Sequence, residues 1–376
     1  MEAKKHILVV PQWYPNKTDI QLGGFIQQQA RLISSDFEVT VLYPHPLHDA
    51  HKDFDCEVKI EESVREIRVY YKQDQGILRR LKNFSRFKKA LSIGLKQIET
   101  PIDLCHLHVP MRSGLILEQI EKDIPVVVTS HWSGHLNGEY DNLPAKERKL
   151  YLTALKRAKK ITSVSEDLQK ALTKNTGARS SVIPNPIFGT PTPYPSNEKG
   201  VKILTVGDLN NQTKNYIGLL ESFSKALKKN ENLFLDIIGD GPDRKMILHK
   251  ISKLGLEEKV KLLGRMSQSE VQERFKDYHF FVNNSITETF GMAIAEAIAN
   301  GRPVVCTASG GPNHFIRKEN GLLIPLGETA AYVAAINKMT DNYLNYNPTE
   351  ISNSILAIYG ENKVKEEWCS LYKSIL

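Results

Sequence analysis

The sequence has few of the features that define disulfide-rich, membrane-spanning or repetitive proteins. Its four cysteines are scattered over 376 residues with no Cys-x-x-Cys pair, so free thiols in a reducing cytoplasm are the simplest interpretation. No apolar run approaches the roughly 18 residues of a membrane helix. The opening segment MEAKKHILVV has too short an apolar run for a secretion signal. With no internal repeat or low-complexity tract, the chain is expected to be a globular cytoplasmic protein.

The composition favours two domains with unequal charge. Hydrophobic residues make up 41% of the chain and charged residues 25%, which is ordinary for a globular protein. Domains of about 150 residues predict two of them here. The net charge is +7, and residues 1–190 hold 28 lysines and arginines against 22 aspartates and glutamates. We therefore expect the first half to meet an anionic surface or ligand.

Apolar strands alternate with helical segments in both halves, which predicts parallel sheets covered on both faces. In the first half a helix is predicted near 25–34, with strands at 6–10, 37–42, 102–108, 124–129, 160–164 and 181–183. The proline-rich stretch 189–200 is predicted to be a linker. The pattern then restarts with a helix near 216–229 and strands at 202–206, 233–238, 260–263, 279–282 and 303–306. The fold class predicted is α/β, with two Rossmann-like domains.

Between Lys72 and Lys96, eight lysines and arginines are interleaved with apolar residues at helical spacing, which predicts a basic amphipathic helix. One interpretation is that this helix lies on an anionic membrane, where each basic residue contributes about 1 kcal/mol. The alternative is a surface helix whose apolar stripe packs on its own domain. No nucleic-acid partner is predicted, because no recognition motif accompanies the charge.

The segment 285–297, SITETFGMAIAEA, carries the strongest chemical signal. Gly291 is expected to open a helix, and the spacing of Glu288 and Glu296 places both carboxylates toward one side. The first backbone N–H groups of that helix suit diphosphate oxygens, and the carboxylates suit sugar and ribose hydroxyls. Taken alone, the same spacing is also that of two exposed glutamates on a surface helix.

Further motifs surround this segment in a fixed order: VGD at 206–208, IGDGP at 238–242, LLGR at 262–265, ASGGP at 308–312 and NGLLIP at 320–325. With them the chain resembles the retaining nucleotide-sugar glycosyltransferases of family 4. The resemblance covers essentially the whole chain. It implies the GT-B fold, in which two Rossmann-like domains face each other across a cleft.

The resemblance also implies how the chain divides. Residues 1–188 would form an acceptor-binding domain, residues 189–200 a linker, and residues 201–359 a nucleotide-sugar-binding domain. A C-terminal helix at about 360–376 would cross back onto the first domain. From pattern alone, a last helix packed only on the second domain is the alternative.

On the donor side, the resemblance implies that Lys214 meets the diphosphate, Glu296 holds the ribose hydroxyls and Glu288 is a catalytic residue that binds the transferred sugar. The other donor-binding residues implied are Gly239, Gly241, Arg265, Met266, Phe290, Gly291 and Met292. The chain departs from the family at Asp208, where an arginine is common, and near His314, where a glutamate is usual. The first departure weakens neutralisation of the diphosphate.

On the acceptor side, Gly23 and Gly24 resemble a loop that lets the backbone approach a ligand closely. His131 resembles the catalytic strand-end histidine that faces the transferred sugar, and Trp132 follows it as an acceptor-binding residue. Taken alone, His131 is a satisfied buried histidine. His106 and His108 are interpreted as residues of a strand end.

The function implied is transfer of a hexosyl group, with retention of configuration, from a nucleotide-diphosphate sugar to a glycan or lipid-linked glycan acceptor. Bacterial surface polysaccharide is the expected pathway. The expected location is the cytoplasm, and the membrane interpretation of the basic helix would place the protein peripherally on the inner face of the plasma membrane. No cofactor and no dedicated metal are expected, since Asp53-Phe54-Asp55 lies in the acceptor-binding half. The alternatives are a soluble enzyme on a small acceptor, a non-catalytic binding or scaffold protein, and a nucleotide-sugar epimerase.

Overall fold

The computed structural model describes residues 3–376. Residues 1 and 2 lie outside this range. They are the first two residues of the predicted N-terminal domain and of the opening segment that is predicted to lack a secretion signal. The chain divides into an N-terminal unit, residues 3–186 together with 364–376, and a C-terminal unit, Ile187–Lys363. Each unit contains one mainly parallel sheet with helices, which confirms the predicted α/β class.

Eight strands form the sheet of the N-terminal unit: β1 (His6–Pro11), β2 (Glu38–Leu47), β3 (Phe54–Glu61), β4 (Val64–Lys72), β5 (Leu104–His108), β6 (Val126–Ser130), β7 (Lys160–Ser163) and β8 (Ser181–Val182). Their order is β3-β4-β2-β1-β5-β6-β7-β8, and β3 alone pairs antiparallel. Strands β1, β5 and β6 are buried throughout, as central strands of a covered parallel sheet are.

Six strands form the sheet of the C-terminal unit: β9 (Val201–Val206), β10 (Leu233–Ile238), β11 (Val260–Gly264), β12 (Phe280–Asn283), β13 (Val304–Thr307) and β14 (Gly321–Ile324). Their order is β11-β10-β9-β12-β13-β14, all parallel. This is the order of a Rossmann sheet, whose direction of growth reverses between the first strand, β9, and the fourth, β12.

Twelve α-helices lie within the described residues: α1 (Gly24–Ile33), α2 (Arg79–Leu95), α3 (Ala145–Arg157), α4 (Glu166–Thr176), α5 (Asn211–Lys214), α6 (Tyr216–Leu227), α7 (Arg244–Lys253), α8 (Gln268–Arg274), α9 (Met292–Ala299), α10 (Thr329–Asn342), α11 (Pro348–Tyr359) and α12 (Glu361–Lys373). From Val364 onward, α12 belongs to the N-terminal unit. There Trp368 is buried, and the Tyr372 ring meets Phe37 edge-on at 5.4 Å.

The predicted basic helix of 72–96 is wrong at its N-terminal end, because residues 64–72 form β4 and α2 begins only at Arg79. Strand β4 forms a hairpin with β3 through Glu62 and Ser63, which have φ angles of 47° and 67°. Tight hairpin turns of this kind normally carry asparagine or glycine. The turn therefore left no recognisable signal in the sequence.

The apolar stripe of α2 is divided between two environments. Phe87, Leu91 and Gly94 are buried, and Gly94 lies so close to β2 that an added Cβ would stand 2.1 Å from a Leu42 methyl carbon. Ile77, in the turn before the helix, and Leu81, in its first turn, are exposed. The alternative interpretation, packing on the domain itself, therefore holds from Phe84 onward, since Phe84 also packs on the core. Among residues 3–376, no helix is long and apolar enough to cross a membrane.

Candidate active site

In the C-terminal unit, the predicted donor-binding residues gather where the strand order reverses. Strand β9 ends at Val206 and its neighbour β12 at Asn283. The segment carrying Lys214 follows β9, and the segment carrying Glu288 follows β12. Open parallel sheets bind ligands at the carboxyl ends of strands at such a reversal.

Glu288 and Lys214 form an ion pair at this edge. The Lys214 Nζ atom lies 2.6 Å from Glu288 Oε1, and the Ser285 hydroxyl donates to the same oxygen at 2.8 Å. The Glu288 backbone is fixed as well, because its N–H donates to the Ser309 carbonyl and its own carbonyl accepts from Gly311. Two predicted residues that are 74 positions apart are thus in direct contact. Ser285 was not predicted.

Helix α9 begins beside this pair. Gly291 precedes its first residue with a φ angle of 93°, a left-handed conformation that glycine adopts without steric cost. No side chain of the described residues caps the helix start, so the N–H groups of Met292 and Ala293 have no partner within the helix. Together with the helix dipole, these groups can bind an anion.

Glu296 lies on α9 and is 5% exposed. Burial raises the pKa of Glu296 to about 7, and the hydrogen bond that Gln268 Nε2 donates to its Oε1 at 2.6 Å acts in the opposite direction. The carboxyl group therefore titrates near neutral pH. Gln268 was not predicted; it stands at the start of α8, two residues after Met266.

Arg265 lies beside Asp208, the position where the resembling family commonly has an arginine. Its Nη2 atom is 3.3 Å from Asp208 Oδ1 and donates to the Asp240 carbonyl at 3.4 Å. The exposed Asp208 carboxylate thus has a cationic partner. The turn after β10 packs tightly on the same segment, since a Cβ on Gly239 would lie 1.9 Å from the Gly207 carbonyl oxygen.

Other predicted donor residues have mainly structural surroundings. Phe290 is buried, and its ring lies 5.7 Å from Phe315 and 5.4 Å from Tyr359. Its side chain is therefore part of the core, so only its backbone can meet a ligand. Gly241 packs against Leu209 in the turn after β10. Met266 and Met292 are half-buried.

In the N-terminal unit, the strand order reverses between β1 and β5. The loop that follows β1 carries Gly23, whose φ angle is 67° and whose Cβ, if present, would lie 2.3 Å from the Trp13 carbonyl oxygen. Only glycine fits there. Gly24 begins α1, and the next residue, Phe25, has its ring 4.7 Å from that of His131. The predicted acceptor loop and the strand-end histidine are therefore neighbours.

His131 follows β6 and is buried. Its Nε2 atom forms a 2.9 Å hydrogen bond with His108 Nδ1, while its own Nδ1 atom is buried without a partner in the structure. Burial lowers the pKa of His131 to about 3 and lowers the pKa of His108 well below its ordinary value. Both rings are therefore neutral at pH 7. The sequence marked His108 only as part of a strand end.

Trp132 lies in the hydrophobic core of the N-terminal unit. It is buried, and its ring packs 5.3 Å from His135 and 6.4 Å from both Tyr140 and Tyr151. Little of its surface is left for stacking on a sugar. Its acceptor-binding role stays a prediction that the packing does not favour.

The Asp-x-Asp segment is engaged in ion pairs. Asp53 lies 3.1 Å from Arg86, and Asp55 lies 3.4 Å from Lys17. Across residues 3–376, no three histidine, cysteine or acidic side chains are grouped so that they could hold a metal ion. Whether the protein uses a cofactor or a metal stays a prediction.

Comparison with known sequences identifies the family. Residues 26–187 match the description "Glycosyltransferase Family 4", and residues 190–355 match "Glycosyl transferases group 1". A Bacillus subtilis (strain 168) relative, whose name assigns it to teichuronic acid biosynthesis as glycosyltransferase TuaC, is 25% identical over 349 residues, 88% of each chain. This chain belongs to the family 4, group 1 glycosyltransferases.

Comparison with solved structures identifies the fold. Sucrose-phosphate synthase (tll1590) from Thermosynechococcus elongatus superposes with a TM-score of 0.76 at 17% identity, covering 99% of both chains. Anabaena Alr3699/HepE in complex with UDP and glucose gives a TM-score of 0.71 at 16% identity, covering 98% of this chain and 99% of the other. The predicted GT-B fold is confirmed.

Proposed function

We propose that this glycosyltransferase is a retaining hexosyltransferase that uses a nucleotide-diphosphate sugar. The observation that carries the proposal is the grouping of Lys214, Glu288 and the open start of α9 at one sheet edge. The lysine cation and the free backbone N–H groups suit a diphosphate, and a carboxylate that accepts hydrogen bonds suits the hydroxyls of the attached sugar. The structural neighbour that holds UDP and glucose supports uridine as the nucleoside of the donor.

Donor binding would rearrange the ion pair. Lys214 neutralises Glu288 at 2.6 Å, and a diphosphate offers this lysine more negative charge than a single carboxylate does. Once Lys214 turns to the diphosphate, Glu288 can accept hydrogen bonds from sugar hydroxyls. Glu296, near the other end of α9, would accept from the ribose hydroxyls.

The chemical step we propose is displacement on one face of the sugar. The bond from the anomeric carbon to the phosphate oxygen breaks as the acceptor oxygen bonds to the same carbon. The acceptor proton passes to an oxygen of the leaving phosphate. Lys214 and the N–H groups of α9 stabilise the negative charge that develops on the diphosphate. We assign no carboxylate nucleophile, and Glu288 Oε1 is held by Lys214 and Ser285.

The acceptor we propose is a glycan or a lipid-linked glycan of a bacterial surface polysaccharide. The relative named for teichuronic acid biosynthesis matches along 88% of its length, which supports this class. The site residues Gly23, Gly24 and His131 lie together in the N-terminal unit and are proposed to meet this acceptor and the transferred sugar.

The experiment is a turnover assay with UDP-, GDP- and ADP-hexoses and polysaccharide acceptors, in which NMR reads the anomeric configuration of the product. We expect acceptor-dependent release of UDP and a product with the donor's configuration. Inversion would overturn the retaining mechanism. Nucleotide binding without turnover on any acceptor would favour the non-catalytic binding protein. Interconversion of donor sugars without release of nucleotide would favour an epimerase.

We also propose that the turn before α2, together with the first turn of α2, contacts an anionic membrane at the inner face of the plasma membrane. Ile77, Leu78 and Leu81 are 102%, 57% and 64% exposed. The neighbouring Arg79 and Arg80 form no ion pair with the described residues. Exposed apolar side chains among unpaired cations match an anionic lipid surface, where each cation contributes about 1 kcal/mol.

Co-sedimentation with vesicles of phosphatidylglycerol and phosphatidylcholine tests this contact. A triple serine variant of Ile77, Leu78 and Leu81 and a glutamine variant of Arg79 and Arg80 should each bind less. The matched control is a glutamine variant of Lys170 and Lys174, an exposed basic pair on α4. If all variants bind like the wild type, the membrane proposal fails and the soluble enzyme on a small acceptor is favoured.

A further inference from the structure

We propose that His108 is a positioning residue that holds the His131 ring in one orientation through Nε2, so that His131 Nδ1 is the nitrogen presented to the substrate. The inference rests on the proposed function of His131 as a substrate contact. His108 itself meets the loop that follows β1 only through its backbone carbonyl, which accepts from the Gln12 N–H at 3.0 Å.

The two rings form a close, buried pair. Their centroids lie 5.1 Å apart at an interplanar angle of 23°, and a 2.9 Å hydrogen bond joins His108 Nδ1 to His131 Nε2. Phe25 covers His131 at 4.7 Å. His131 Nδ1 is therefore the one ring nitrogen of His131 left for a ligand, and it has no partner in the structure.

A buried polar atom without a partner costs about 1–3 kcal/mol, so such an atom at a predicted site is a candidate ligand contact. A neutral imidazole carries one N–H donor and one acceptor nitrogen. The bond to His108 uses one of these roles at Nε2, which assigns the other role to Nδ1. Burial keeps both rings neutral by lowering their pKa values.

His108 is itself held firmly from its other side. The His106 ring lies 4.0 Å from it. His106 is fixed by hydrogen bonds of 2.7 Å with the Tyr372 hydroxyl and 2.6 Å with the Thr129 hydroxyl. The titratable groups facing the pair are thus a neutral histidine and a tyrosine, and neither brings a charge to it.

The test compares His108→Leu with His108→Asn. Leucine fills the space without a hydrogen bond, whereas the asparagine amide can replace the Nδ1 atom that His108 uses. We expect His108→Leu to lower kcat by about 10- to 100-fold, the range that loss of an orienting partner produces, with little change in UDP affinity. His108→Asn should recover most of kcat. In ¹⁵N NMR, the signature of a hydrogen bond at His131 Nε2 should be present in the wild type and absent in His108→Leu.

The matched control is His135→Leu, which removes another buried histidine hydrogen bond of the same unit, the 2.9 Å contact with Tyr151. It should lower thermal stability without lowering kcat. Equal kcat losses in the His108 and His135 leucine variants, or no recovery with folded His108→Asn, would overturn the inference. If His108→Leu leaves kcat unchanged while His131→Ala lowers it, the inference about His108 fails. If His131→Ala itself leaves turnover unchanged, the proposed function of His131 fails instead.

Discussion

Glu296 should destabilise the folded protein at alkaline pH, so its neutral analogue should be more stable than the wild type. Burial raises the pKa of Glu296 from its ordinary 4.5 to about 7. One pKa unit corresponds to about 1.4 kcal/mol, so ionised Glu296 costs the folded state about 3 kcal/mol well above pH 7. Glu296→Gln removes this cost and keeps a side-chain oxygen that can accept from Gln268.

The sign follows from proton binding. The folded protein holds a proton on Glu296 up to about pH 7, while the unfolded chain releases it near pH 4.5. The wild type therefore loses stability relative to Glu296→Gln as pH rises through this window, and the two coincide below it. Urea unfolding at pH 4 and at pH 8 should show a difference of about 1–3 kcal/mol at pH 8 only.

The matched control is Glu319→Gln, an exposed glutamate of the same unit, which should follow the wild type at both pH values. A Glu296→Gln variant that is no more stable than the wild type at pH 8 would contradict the raised pKa of Glu296. A stability difference of the same size at both pH values would contradict it as well.

Three further substitutions have measurable consequences elsewhere in the molecule. Lys214→Met should lower kcat/KM by about 100-fold, because it removes a charged contact to the donor. Lys229→Met breaks only an exposed ion pair and should leave kcat/KM unchanged. Equal kcat/KM values in the two variants would contradict the donor site. Trp368→Ala should destabilise the N-terminal unit by about 3–5 kcal/mol in thermal unfolding, and a loss below 1 kcal/mol would contradict its packing. Gly311→Ala would place a Cβ 2.5 Å from Phe290 Cα, so a clear fall in Tm is expected, and an unchanged Tm would contradict this close contact.

Most of the sheets could be predicted because buried parallel strands form continuous apolar runs. The predicted strand 233–238 coincides with β10, and the other predicted strands begin within two residues of the observed ones. The hairpin of β3 and β4 was missed. Strand β3, FDCEVKIE, is a charged edge strand, and its turn at Glu62 and Ser63 lacks glycine and asparagine.

Residues of the candidate site could be predicted only where they belong to a sequence motif. Glu288, Gly291 and Glu296 stand within one segment and were found by their spacing. Their polar partners were not, because a hydrogen bond such as that from Gln268 depends on how α8 lies beside α9, which one sequence does not show. The contact of His108 with His131 likewise arises from the pairing of β5 with β6.

Binding of nucleoside diphosphates, followed as thermal stabilisation at pH 8, tests the proposed donor site. UDP at 100 times its dissociation constant should stabilise the wild type and Glu319→Gln by about 2.7 kcal/mol. At the same concentration, Glu296→Gln should be stabilised far less, because it lacks the carboxylate that is ionised at pH 8 and accepts from the ribose hydroxyls. If neither UDP, GDP nor ADP stabilises the wild type, or if UDP stabilises Glu296→Gln equally, the donor does not bind at Lys214, Glu288 and Glu296.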